Sequence, residues 1–218
     1  MDTGLESRAR DDVLKGAKAI FSRGLVESGE GNVSARVPGK DEMFITPAFN
    51  DYCTLSKDDV VHIDFLGNKL SCGRNPSSEY RLHAAVYRAR PGAMCVIHTH
   101  STYATVLSVT RSVIPVILEE MIIFLGGRVN VSKYSQANTD ELGVNAVKAM
   151  GRSNGILMAN HGVLVCGRSM EHAVKMTELV EKMANVYAGA LKIGKPKTIP
   201  EKSFPKFIEH FESEFATH

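Results

Sequence analysis

The run Val96-Ile97-His98-Thr99-His100 puts two imidazoles two positions apart behind an apolar stretch. Side chains at i and i+2 of a strand leave the same face. The pair therefore forms a two-pronged clamp for a metal that imidazole suits, zinc or a first-row neighbour. A third histidine, His161, closes another apolar run, Gly155-Ile156-Leu157-Met158-Ala159-Asn160. Three protein ligands leave one coordination position open, as in catalytic rather than structural zinc. A His-x-His pair also occurs as hydrogen-bonded core residues. The third histidine and a carboxylate-bearing segment upstream, Pro76-Ser77-Ser78-Glu79, favour the metal.

That upstream segment reads as the opening of a helix running to about Arg90, with proline and serines at its start. Free N–H groups and the partial positive charge of a helix N-terminus suit a phosphate or carboxylate. For this segment alone, the simpler reading makes Ser77 or Ser78 the N-cap. Glu79 is by itself a first-turn carboxylate; beside a metal it is a fourth ligand or a general base. Ser28-Gly29-Glu30-Gly31-Asn32 is a second small-residue turn, able to bring a backbone amide close to a ligand.

The elements that must position these residues follow from periodicity and breakers. Leu5 to about Val26 is helical and stops at the glycines of residues 29–31. Asn32–Val37 and Met43–Thr46 alternate as strands, and Val60–Phe65 with Lys69-Leu70 flanks a hairpin turn at Leu66-Gly67-Asn68. The His98 strand leads into a helix from about Ser101 to Val109. Ile114–Leu118 and Arg128–Ser132 read as strands, with Met121–Leu125 ambiguous between them. Asp140–Met150 is helical with Thr139 as its cap. Two apolar strands flank His161-Gly162, a long helix spans roughly Met170–Leu191, and Phe204–Phe215 is a last amphipathic helix. The pattern predicts a layered α/β/α fold around a mixed, mainly antiparallel sheet, with 1–218 as one domain and 196–218 as its C-terminal tail and helix. There is no G-x-G-x-x-G after a strand and no P-loop.

The 218 residues are 44% hydrophobic and 23% charged, with net charge +2, an ordinary globular composition. No long apolar run predicts a membrane span, and the first residues lack the apolar core of a signal peptide, so a cytoplasmic protein is expected. Mixed charge without a basic run argues against nucleic acid as a partner. Cys53, Cys72, Cys95 and Cys166 form no C-x-x-C and are expected to be reduced and mostly buried. His62, His83, His172, His210 and His218 have no partner at ligand spacing, and Tyr134 reads as packing.

Taken together, Gly31-Asn32-Val33-Ser34-Ala35-Arg36, Ile45-Thr46-Pro47, Pro76-Ser77-Ser78-Glu79, His98-Thr99-His100 and Asn160-His161-Gly162-Val163, with the long helix after them, resemble the class II aldolase/adducin family. The closest likeness is to its fuculose-1-phosphate aldolase branch, from about residue 10 to 195. The resemblance implies three zinc ligands, His98, His100 and His161, with manganese or cobalt as substitutes. It implies Glu79 as acid/base and additional metal ligand, and Asn32, Ser77 and Ser78 at the substrate phosphate. It also implies a homotetramer with sites between subunits. The reaction implied is reversible cleavage of a ketose 1-phosphate to dihydroxyacetone phosphate and a short aldehyde such as lactaldehyde. Dehydratase, epimerase or decarboxylase chemistry on a related sugar phosphate or acid is the alternative within the family, and a non-catalytic adducin-like interaction module the alternative outside enzymes.

Two places depart from the fuculose-type pattern. Ala48-Phe49 follows Ile45-Thr46-Pro47, where that branch has a small hydroxyl residue and glycine against the phosphate. Glu119-Glu120 precedes Met121, where it has a tyrosine acting on the aldehyde side. Methylthioribulose-1-phosphate dehydratases of the family carry a catalytic glutamate there, which makes Glu120 a candidate second acid/base. Two adjacent glutamates opening a helix are also commonly a solvated turn.

Overall fold

The computed structural model describes residues 4–27, 29–49 and 51–216, with side chains to residue 213. His218 lies outside them. Six strands, β1 (Asn32–Arg36), β2 (Glu42–Ile45), β3 (Val61–Asp64), β4 (Cys95–Thr99), β5 (Gly155–Met158) and β6 (Gly162–Gly167), form one sheet in the order β3-β2-β1-β4-β6-β5. Every ladder is antiparallel; the parallel contribution is a single isolated bridge, Val131 to Leu157. β4 thus lies inside the sheet, between β1 and β6. Its five residues are all buried, which suits the unbroken apolar run before His98.

The period of two assigns the faces. Val33, Ala35, Phe44, Cys95 and Ile97 pack against α1 (Gly4–Ser22) and the start of α6 (Met170–Ile193). Leu157, Val163 and Val165 continue that face under α6 and α3 (Thr102–Val109). Met43, Ile45, Val96, Ile156, Met158 and Leu164 point the other way, onto α2 (Tyr80–Ala89) and α5 (Asp140–Met150). This is the expected α/β/α layering. His98, two residues after Val96, shares the α2 face, and so do Asn32 and Ser34 on β1.

Several local expectations shift. The helix after Pro76 begins at Tyr80, with Glu79 in the N-cap position, so residues 76–79 form the turn before it. The ambiguous stretch is helical, α4 (Glu120–Leu125). Ile114–Leu118 and Arg128–Ser132 are not strands but irregular chain tied by isolated bridges, Ile114 to Val129 and Val131 to Leu157. Their β-branched residues fill the cluster under α4 and α6 instead of extending a ladder. The last helix, α7 (Pro205–Ala216), packs on α4. Cys95 and Cys166 are buried but Cys53 and Cys72 are exposed, all four free. Tyr134 is 59% exposed and does not pack as expected. Among the described residues no helix is long and apolar enough to cross a membrane.

Candidate metal centre

The strand register brings the predicted ligands together. His161 sits in the turn between β5 and β6, where Met158 pairs with Gly162, and Thr99 of β4 pairs with Val163. This sets His161 beside the end of β4. Gly162 has no Cβ because one would run into the Thr99 carbonyl. The ring centroids of His98, His100 and His161 are 4.7–5.2 Å apart. One ligand nitrogen from each lies within 4.8 Å of the others.

The surroundings decide which nitrogens face inward. His98 Nδ1 lies 2.7 Å from the Val163 carbonyl, a pure acceptor, so Nδ1 carries the proton and donates. His100 Nδ1 lies 3.2 Å from Glu30 Oε2 and donates to it in the same way. When both rings are neutral each presents a bare Nε2, and these two atoms face each other at 3.0 Å. Two lone pairs at that distance repel unless a cation lies between the rings.

Glu79 completes the cluster from the α2 side. Its Oε2 is 3.2 Å from His98 Nε2 and its Oε1 is 3.2 Å from His161 Nε2. Oε1 is buried without a hydrogen-bond partner. A buried carboxylate oxygen with no donor is costly unless something positive completes it. The three imidazole nitrogens, with the Glu79 carboxylate against His98 and His161, therefore fit a divalent cation of the zinc type. Burial pushes the Glu79 carboxyl up, but the neighbouring His98 and His161 outweigh it and hold the group below the usual carboxylate range. For His98, burial pushes the imidazolium down while Glu79 and the Val163 carbonyl more than reverse it. His100 is lowered by burial and by the other two rings.

Two further contacts fix Glu79, and a third holds one of its partners. Asn32, directly opposite His98 across β1 and β4, donates from Nδ2 to Oε2 at 2.9 Å. The buried Ser77 hydroxyl accepts the Glu79 backbone N–H at 3.3 Å, and Ser77 N–H donates to the Thr46 carbonyl at 3.0 Å. Gly31 holds φ +68°, and a Cβ there would stand 2.8 Å from the His98 carbonyl, so only glycine lets β1 enter so close to the ligand strand.

Thr46 and Pro47 run alongside Pro76 and Ser77 through a Pro47–Pro76 bridge. Ser78 is exposed at this junction. Ala48 and Phe49 lie next to it, and Arg74 Nη2 donates to both carbonyls, at 3.0 and 2.9 Å. Phe49 has φ +52° and is 94% exposed, so its ring stands in solvent. A left-handed conformation costs a non-glycine residue roughly 1–2 kcal/mol. Phe49→Gly removes that cost without losing buried area. It is expected to raise stability by about 1 kcal/mol after the entropy of the freer unfolded chain is subtracted, read as a higher urea midpoint at unchanged m; a lower midpoint would mean that the ring is packed.

Not every predicted residue joins the cluster. Glu120, the first residue of α4, meets Lys182 Nζ on α6 at 2.8 Å. Among the described residues, no hydrogen bond or ion pair joins it to the histidines. Glu30 and His83 have contacts at the site that the sequence did not suggest. Glu30 lies in the glycine turn, which the sequence marks as a helix stop and a close backbone approach but not as a source of a carboxylate for His100. The signal for His83 is its i+4 relation to Glu79 across the first turn of α2. A cavity of about 330 Å³ opens onto His100, His161 and Glu30 beside Ser101, Thr102 and Thr105. A larger hollow of about 550 Å³, between Arg90, Cys166 and Phe211, holds none of these groups.

Residues 11–188 match the model of the Class II Aldolase and Adducin N-terminal domain. The chain belongs to this family. The 5-methylthioribulose-1-phosphate/5-deoxyribulose-1-phosphate aldolase of Rhodospirillum rubrum is 31% identical, covering 94% of this chain and 91% of its own. The L-fuculose phosphate aldolase of Escherichia coli K12 is 33% identical over 87% of each chain. A solved L-fuculose 1-phosphate aldolase superposes with a TM-score of 0.89 at 34% identity, over 94% of this chain and 96% of that one. These relatives are named aldolases, which are lyases, and the chain is consistent with a class II aldolase. Class II aldolases depend on a metal, and His98, His100 and His161 are the residues here able to hold one.

Proposed function

We propose that this protein is a zinc-dependent class II aldolase of the cytoplasm that reversibly cleaves a deoxyketose 1-phosphate to dihydroxyacetone phosphate and a short aldehyde. The observation that carries the reading is the convergence of three imidazoles on one another, with the Glu79 carboxylate against two of them, Oε2 at His98 and Oε1 at His161. When bound, the cation supplies Lewis-acid stabilisation of the negative charge that cleavage leaves on the ketose oxygens.

In the cleavage direction the C4 hydroxyl loses its proton as the C3–C4 bond breaks. The bond's electron pair moves onto the C2–C3 unit as an enediolate, and C4 leaves as the aldehyde. Protonation at C3 then gives dihydroxyacetone phosphate. Glu79 is suited to carry that proton on Oε1, because Oε2 is anchored by Asn32. Asn32, expected at the phosphate, here engages both ends of its amide with Glu79 and His83, so its role in this proposal is to hold the carboxylate. Ser77, Ser78 and the adjoining turn are assigned to the phosphate, consistent with the exposed Ser78 hydroxyl beside the Pro47–Pro76 bridge. The second acid/base, for the C4 hydroxyl, is assigned to Glu120. Its pairing with Lys182 within the chain makes this assignment depend on a homotetramer in which Glu120 serves a neighbouring subunit's site.

The test is release of dihydroxyacetone phosphate, followed by coupled NADH oxidation, from zinc-loaded protein. The panel contains L-fuculose 1-phosphate, 5-deoxyribulose 1-phosphate and 5-methylthioribulose 1-phosphate, chosen because relatives at 31–33% identity carry those names. Release from at least one member is expected. Release from none would overturn the aldolase reading in favour of another reaction of the family.

A further inference from the structure

Behind Glu79 lies a line of polar side chains sealed inside the protein. Asn32 is 3% exposed, and Ser34, His83 and Tyr87 are fully buried. They form an unbroken sequence of contacts. Tyr87 OH is 2.7 Å from Ser34 Oγ, Ser34 Oγ is 2.6 Å from His83 Nδ1, His83 Nε2 is 2.5 Å from Asn32 Oδ1, and Asn32 Nδ2 is 2.9 Å from Glu79 Oε2. Two β1 residues on one face, 32 and 34, and two α2 residues one turn apart, 83 and 87, interleave to build it.

The hydrogen positions follow from the chemistry of the ends. An ionised carboxylate only accepts, so Asn32 must turn its NH2 toward Glu79 and its carbonyl toward His83. That carbonyl only accepts, so His83 must carry its proton on Nε2. Burial, with the nearby His98 adding to it and Glu79 opposing only in part, keeps the ring neutral, its imidazolium pKa pushed down to about 3. Nδ1 is therefore bare and takes the Ser34 hydroxyl proton. Ser34 Oγ in turn accepts from Tyr87, whose phenol burial keeps protonated. Every donor points toward Glu79.

We propose that Tyr87, Ser34, His83 and Asn32 are a one-way donor chain that orients Glu79, with His83 as the positioning residue that fixes the Asn32 amide. The opposite tautomer of His83 would present a bare Nε2 to Asn32, turn the amide over and set its carbonyl oxygen against the carboxylate. Two acceptors at 2.9 Å repel, and Oε2 would be released from its anchor. The chain thereby leaves Oε1 as the oxygen free to exchange a proton, and in this respect the inference rests on the proposed function.

The first experiment reads the tautomer in the intact zinc-loaded protein by long-range 1H–15N correlation of 15N-labelled histidine, assigned through contacts of the His83 ring to Ser34 and Asn32. His83 is expected as the Nε2–H tautomer at pH 7.5, opposite to the Nδ1–H form of His98 and His100. An Nδ1–H or doubly protonated His83 overturns the proposal. No substrate is present, so this outcome is independent of whether any ketose phosphate is cleaved. The second experiment replaces Ser34. Ser34→Ala removes the donor to Nδ1 and is expected to lower kcat by about tenfold or more at little-changed KM, the scale of second-layer groups at metal sites, with activity returning in Ser34→Thr. Loss of the Nε2–H signal in Ser34→Ala should accompany it. An unchanged His83 tautomer together with unchanged kcat in Ser34→Ala overturns the positioning role.

Discussion

Dialysis against a strong chelator is expected to lower the rate of ketose 1-phosphate cleavage by about a thousandfold or more, with recovery on adding zinc. Lewis-acid stabilisation contributes several kcal/mol to such reactions, and each 1.36 kcal/mol is about a factor of ten. The structure explains why the protein alone cannot substitute. With Nδ1 of His98 and His100 each tied to an acceptor, their Nε2 atoms are left to hold the cation. As ligands, neither can donate to a developing enediolate. Adding zinc, manganese and cobalt separately to the stripped protein identifies which restores the rate. A chelated sample proven metal-free by elemental analysis that still turned over at the starting rate would remove the metal from the mechanism.

Glu79→Gln is expected to keep the bound ion through the three histidines and to lose about a hundredfold to ten-thousandfold in kcat, the range for general acid–base groups. The side chain keeps its size and still offers a carbonyl oxygen to Asn32. Its other terminal atom becomes an amide nitrogen, which cannot take a proton where Oε1 did. Measuring metal content beside kcat separates the two roles of Glu79. A drop in stoichiometry with the rate per bound metal unchanged would make it a ligand alone, and full activity would exclude it as acid/base.

Much of this site was readable in one dimension, because its ligands lie where local periodicity is strong. His98 and His100 follow an apolar strand whose pleat fixes their common side, and His161 follows another. The close backbone approaches of Gly31 and Gly162 to the carbonyls of His98 and Thr99 emerge only from the structure. What the sequence could not carry is pairing between segments. His83 looked like any helical histidine until β1 was laid against α2, when Ser34 and Asn32 met its two nitrogens. Glu30 faces His100 across 70 residues of chain, a distance over which no spacing rule operates. Ile114–Leu118 and Arg128–Ser132 read as strands in the sequence because β-branched composition reports burial as readily as pairing. Their Ile114, Val116 and Val129 are buried in the cluster under α6.

The Asn32–His98 pairing across β1 and β4 makes catalytic competence an indicator of correct folding. A slip of one residue would put Val33 opposite His98, send Asn32 to the α1 face and bring an apolar side chain toward Glu79. Such a chain would retain its helices, most of its ladder bonds and all three histidines, and would look native by circular dichroism. It would have no anchor on the carboxylate. Turnover therefore distinguishes two chains that bulk spectroscopy scores as equal, and specific activity per bound metal counts the fraction of molecules whose strands are in register.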